Sequence, residues 1–91
     1  MNIAASIRDI LVTDVFVEVP VDEMHDDDSL RDVYGLDSLG FVELRVQCEK
    51  RFGVTISTDD FTPENFATVG DLTALVDRLR QDTVAAGAQP R

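Results

Sequence analysis

The chain has 91 residues, 44% of them apolar, one Cys and a formal net charge of −10. That length builds one small domain around a single core, with no deep cleft walled by two domains, and the charge repels nucleic acid and anionic membranes at long range. No apolar run approaches the roughly 20 residues of a membrane span, and one Cys excludes both an internal disulfide framework and a Cys-based zinc site. The N-terminus lacks a basic n-region and carries Asp9 and Asp14 among its apolar residues, unlike a secretory signal. A cytoplasmic location is expected. The charge is uneven: residues 1–40 hold ten acids and two bases, residues 41–91 eight acids and six bases. Either this is a solubilising surface or it steers the chain toward basic docking patches.

In chain order, the first helix is predicted from about Asn2 to Val17, with Ile3, Ile7, Ile10 and Leu11 as its buried stripe. The β-branched run through Val19 competes as a strand, but no partner strand is evident and Pro20 ends it. Residues 18–37 form a long acidic connection, a length that calls for a function; Val21, Met24, Leu30, Val33 and Leu36 are its expected anchors. A second helix is predicted from Asp37 or Ser38 to Phe52, stopped by Gly53. Thr62-Pro63-Glu64 signals a short third helix, with a hydroxyl cap and Pro in the first turn. Thr68 caps the last helix, with Asp71 three residues on and Leu72, Leu75, Val76 and Leu79 as its stripe. The fold class is all-α: a small four-helix bundle with a long first loop, a domain over 1–82 and a frayed Ala/Gly-rich tail over 83–91.

The second helix has two apolar faces. Phe41, Leu44, Cys48 and Phe52 fall within roughly 80° of one another on a helical wheel. Leu39, Val42 and Val46 fall about 145° away, bordered by Glu43, Gln47, Glu49 and Lys50. A helix in so small a bundle buries one such stripe. The second is either covered by another helix or exposed as a docking strip. Cys48 lies on the core stripe and reads as a buried filler.

Ser38 stands where loop meets helix, in the run Gly35-Leu36-Asp37-Ser38-Leu39-Gly40. A helix N-terminus offers unpaired N–H groups and partial positive charge, which tolerate a phosphodiester. Taken alone, Asp-Ser before a helix is a plain N-cap.

The surroundings extend the pattern. Gly35-Leu36-Asp37-Ser38-Leu39 resembles the phosphopantetheine attachment motif of acyl carrier proteins. Ser29-Leu30, Val42-Glu43-Leu44, Phe52-Gly53-Val54-Thr55-Ile56 and Thr68-Val69-Gly70-Asp71-Leu72 are similar, in order, to further stretches of that family. The resemblance covers about Ile3 to Leu79. It implies a monomeric carrier, itself without catalysis, whose Ser38 receives 4'-phosphopantetheine from coenzyme A through a phosphopantetheinyl transferase. Acyl groups would then be carried as thioesters on the arm's thiol. It also implies docking of acyl-loading, ketosynthase or acyltransferase-type enzymes at Asp37, Leu39, Val42, Glu43, Val46 and Glu49.

Leu36-Asp37 resembles polyketide-type carriers, and Arg45, Lys50 and Arg51 on the second helix depart from the densely acidic helix of housekeeping fatty-acid carriers. Polyketide or other specialised biosynthesis is therefore the expected pathway class for a free-standing carrier. Amino-acyl, peptidyl or D-alanyl carriage is the alternative, and a subunit with the same fold that never receives the arm is another. Gly40 departs from the acid many relatives have, weakens the helix start and is expected to let a partner approach closely.

Other residues offer little chemistry. His25 stands alone in an acidic loop. Asp26-Asp27-Asp28 fails as an EF-hand, because Leu30 and Arg31 occupy the fifth and sixth positions. Tyr34 is expected to pack beneath the Ser38 turn.

Overall fold

The computed structural model describes residues 2–87, with side chains described as far as Gln81. It is all-α among those residues: α1 (Ile3–Thr13), a short 3₁₀ turn (Val21–Glu23), α2 (Ser38–Phe52) and α3 (Val69–Gly87). No helix among them is long and apolar enough to cross a membrane.

α1 starts where Asn2 Oδ1 accepts the Ala5 N–H at 3.0 Å, an N-cap that satisfies an orphan donor. Ile7, Ile10 and Leu11 are fully buried. The helix ends at Thr13, four residues before the expected Val17. The Val15 N–H reaches back to the Ile10 carbonyl at 3.1 Å and the Val17 N–H to the Leu11 carbonyl at 2.9 Å. Between them Phe16 takes a left-handed conformation, φ 64°. This reversal buries Val17 and leaves Phe16 79% exposed. The β-branched run lowers the gain from further helix, and the turn costs Phe16 on the order of 1 kcal/mol.

The long loop is stitched to the start of α3. The Leu30 N–H donates to the Ala67 carbonyl at 2.9 Å and the Gly70 N–H to the Asp26 carbonyl at 2.8 Å. Ser29 and Thr68 form an isolated antiparallel bridge. Met24, Leu30, Tyr34 and Leu36 anchor the loop in the core, whereas Val21 and Val33, expected as anchors, are exposed. The loop thus gives one donor, the Leu30 N–H, to the residue before Thr68 and one acceptor, the Asp26 carbonyl, to the first turn of α3, and this pairing of backbone groups orders so long a segment.

The expected short third helix does not form. Residues 63–66 make a single turn, closed by the Phe66 N–H on the Thr62 carbonyl at 3.1 Å and the Asn65 N–H on Thr62 Oγ1 at 3.2 Å. Thr68 opens the next helix only two residues after Phe66, which leaves no length for a second turn. Among the described residues the bundle therefore has three α-helices rather than four. Thr68 caps α3 as expected, accepting the Asp71 N–H and donating to the Asp71 carboxylate, both at 3.0 Å. α3 carries its backbone to Gly87; of the expected tail, residues 88–91 lie outside the described residues.

The core collects Ile7, Ile10, Leu11, Leu30, Leu44, Cys48, Ile56, Val69, Leu72 and Val76, all fully buried. Asp9–Arg51 and Asp60–Arg78 pairs, at 3.0 and 3.1 Å, tie its edges. They are exposed and add little to stability.

Candidate functional site

Three features place Ser38 at the mouth of α2. Gly35 turns the chain with φ 73°, a conformation that costs Gly little. Leu36 is buried and pins the loop to the core. Asp37 caps the helix, its Oδ1 accepting the Gly40 N–H at 2.8 Å. The cap is thus Asp37, and Ser38 is the first helical residue, exposed, with no hydrogen bond to its hydroxyl among the described residues.

A Cβ at Gly40 would lie 3.3 Å from Leu36 Cγ and 3.4 Å from Asp37 Oδ1. A side chain there would make the chain's own loop give by a few tenths of an ångström. Gly40 therefore lets Leu36 and Asp37 close over the first turn, which holds Ser38 in place.

The two faces of α2 separate as the wheel implies. Leu44, Cys48 and Phe52 are buried and Phe41 is half-buried. Leu39 is 79% and Val42 48% exposed, while Val46 is half-buried. Burial pushes the Cys48 thiol up to about 12, with Arg51 opposing and Glu49 reinforcing. It is a packed apolar group.

Asp37 and Glu43 are exposed beside Ser38 and the apolar strip. Glu43 accepts a hydrogen bond from Gln47 at 2.9 Å. Glu49 is half-buried and serves the fold locally, since its Oε2 accepts the Ile56 N–H at 2.8 Å and so fixes the segment after α2. Tyr34 is buried, its hydroxyl donating toward Asp28 Oδ2 at 3.1 Å and lying 3.3 Å from the His25 carbonyl. Burial, then the Asp28 hydrogen bond and charge, push that phenol up to about 12. Tyr34 thus clamps the acidic loop. No group of acids, His or Cys among the described residues is arranged to hold a metal ion.

Sequence reasoning missed two aromatic–cation stacks. The Arg31 guanidinium lies 5.8 Å from the centre of the Phe41 ring, and the Arg45 guanidinium 5.0 Å from that of Phe61. Phe61 meets Phe66 edge to face, centres 5.0 Å apart. The i, i+4 spacing of Phe41 and Arg45 was visible, but their partners come from loops on either side of α2.

The chain matches the phosphopantetheine attachment site family over residues 4–76. The chain belongs to the acyl carrier protein family. It is 35% identical to the meromycolate extension acyl carrier protein of Mycolicibacterium aurum, over 76% of this chain and 69% of that one. It is 35% identical to the D-alanyl carrier protein of Streptococcus sanguinis, over 88% of this chain and 98% of that one. A non-reducing polyketide synthase of Acremonium egyptiacum is 39% identical over 68% of this chain, a segment making up 3% of that protein.

Members of this carrier family are generally non-catalytic, bear covalent 4'-phosphopantetheine and work with phosphopantetheinyl transferases and biosynthetic enzymes. The group supplies a thiol on which cargo is held as a thioester. The residues here fit it: an exposed hydroxyl on a helix's first turn, beside the Ser38 and Leu39 N–H groups, which have no intrahelical acceptor. Those donors and the helix dipole favour a phosphodiester there.

Proposed function

We propose that Ser38 is the attachment point of the arm and that the chain carries acyl intermediates in polyketide or other specialised biosynthesis. The observation that carries this is the exposed, unbonded Ser38 hydroxyl on the first turn of α2, within Gly35-Leu36-Asp37-Ser38-Leu39. In the transferase reaction the Ser38 oxygen forms a new bond to the pantetheine-bearing phosphorus of coenzyme A. The pyrophosphate P–O bond breaks, adenosine 3',5'-bisphosphate leaves, and the serine proton passes to a base of the transferase. Asp37, Leu39, Val42, Glu43, Val46 and Glu49 form the surface on which the transferase and the acyl-loading or condensing enzymes dock. Leu39 and Val42 supply exposed apolar area, Glu43 and Asp37 its acidic border.

The relatives named as polyketide synthase and meromycolate extension carrier support an acyl cargo built by chain extension. The D-alanyl carriers, one matched over nearly its full length, support amino-acyl carriage as the second reading. Incubation with coenzyme A, Mg²⁺ and a permissive transferase should add one phosphopantetheine mass to the chain and none to Ser38→Ala. Offering the holo chain malonyl- and alanyl-loading enzymes in parallel then separates the two cargo readings by mass. A chain that stays at its unmodified mass rejects the proposal.

A further inference from the structure

In a chain with a net charge of −10, most described cations find a carboxylate or belong to a helix end. Arg8, Arg51 and Arg78 form ion pairs with Asp26, Asp9 and Asp60. Lys50 stands in the last turn of α2, where the dipole favours it. Arg31 and Arg45 have no carboxylate within 4.0 Å among the described residues, and each lies over an aromatic ring.

Their placement follows the helix. Arg45 is seven residues beyond Ser38, so it sits about 10 Å further along the axis and within about 20° of the same face. Phe41 lies between them on that face, with Arg31 stacked on it. A group extending from Ser38 along this side of α2 passes Phe41 and its Arg31 and arrives at Arg45, backed by Phe61. A guanidinium seated over a ring face is held there by the ring quadrupole and keeps N–H donors for a planar oxyanion. The far end of an arm lying along the helix spans the ~10 Å from Ser38 to Arg45.

We infer that Arg31 and Arg45, seated on Phe41 and Phe61, form a subsite for the free carboxylate of a dicarboxylic acyl cargo carried on the arm. This rests on Ser38 as the attachment point and sharpens the cargo class. An extender-type acyl group with a terminal carboxylate is retained beside α2, and an amino-acyl group, a cation, is repelled.

The test loads the apo chain from malonyl-coenzyme A, acetoacetyl-coenzyme A or coenzyme A with a permissive transferase, checks each product by mass and records the Arg Nε–Hε resonances by NMR. Acetoacetyl matches malonyl in shape and lacks the charge. The expected result is a shift of the Arg31 and Arg45 signals in the malonyl form alone, lost at 1 M salt as screening requires. The malonyl form should also melt above the acetoacetyl form, a gap that closes in the Arg31→Gln, Arg45→Gln double variant and narrows in Arg45→Lys, which keeps the charge without the planar fork. Equal spectra and melting for malonyl and acetoacetyl forms would overturn the inference while leaving the carrier reading intact. Shifts already present with the unloaded arm would assign the arginines to the phosphodiester and overturn it too. Absence of any mass gain would remove the carrier reading itself, and the subsite with it.

Discussion

The two faces of α2 share a helix, a length and much of their chemistry, yet one builds the molecule and the other faces outward. Leu44 and Cys48 are fully buried, while Leu39, on the opposite side, is 79% exposed. A core stripe is closed by contacts from α1 and α3, and every atom on it feels a change of volume or charge. Leu39 has no such closure, so its apolar atoms return little to folding. Leu39 and Val42 stand beside Ser38, the proposed attachment point, and their exposure suits the proposed docking surface.

The comparison breaks most visibly with charge. Leu44→Asp should unfold the domain, since an unpaired buried carboxylate costs several times the ~1 kcal/mol of an ordinary substitution; circular dichroism and denaturant titration will show it. Native-like spectra and melting would mean that this face is not closed.

Alkaline pH tests the same face without a mutation. In the folded chain Cys48 and Tyr34 are both pushed up to about 12, against ordinary values of 9.0 and 10.0. Between those limits the unfolded chain binds fewer protons, so stability is whole below about pH 9 and falls as pH rises toward 12. Denaturant midpoints should therefore be flat to about pH 9 and then decline. The Cys48→Ala chain, lacking the thiol, should keep its plateau about one unit further. At neutral pH that substitution should cost about 1–2 kcal/mol through a small cavity.

The outward face should respond in the opposite sense. Val42→Asp should change stability by no more than about 0.5 kcal/mol, yet slow the transferase, because the new charge must be desolvated on docking. Val46→Asp should behave similarly with a somewhat larger stability cost, Val46 being half-buried. Val42→Asp unfolding as badly as Leu44→Asp would erase the distinction between the faces. Glu43→Lys is the finest probe: it should slow loading more at low salt than at high salt.

What the sequence disclosed and concealed follows one rule. The α2 start, its Gly53 stop, the Thr68 cap and the division of Leu39 and Val42 from Leu44 and Cys48 were legible, because each rests on local spacing or a capping residue. The α1 end was not. Phe16 turns left-handed without the Gly or Asn that usually marks such a turn, and the signal lies in carbonyls of Ile10 and Leu11 seeking donors. The missing third helix hid behind a sound cap at Thr62, because cap chemistry says where a helix starts and nothing about its length. At the candidate site, the place of Ser38 at the start of α2 was legible from the sequence. The roles of Gly40, Glu49, Arg31 and Arg45 were not, since each depends on what a neighbouring loop brings to it: Leu36, the Ile56 N–H, Phe41 and Phe61.

The central claim is that the arm sits on Ser38, and tryptic mapping of the transferase-treated chain tests it most directly. Cleavage at Arg31 and Arg45 releases residues 32–45, in which Ser38 is the single serine. The account predicts the full phosphopantetheine increment on that peptide, fragmenting at Ser38, with the peptides bearing Ser6, Ser29 and Ser57 unchanged. The increment on any of those three, or persisting in Ser38→Ala, would contradict it.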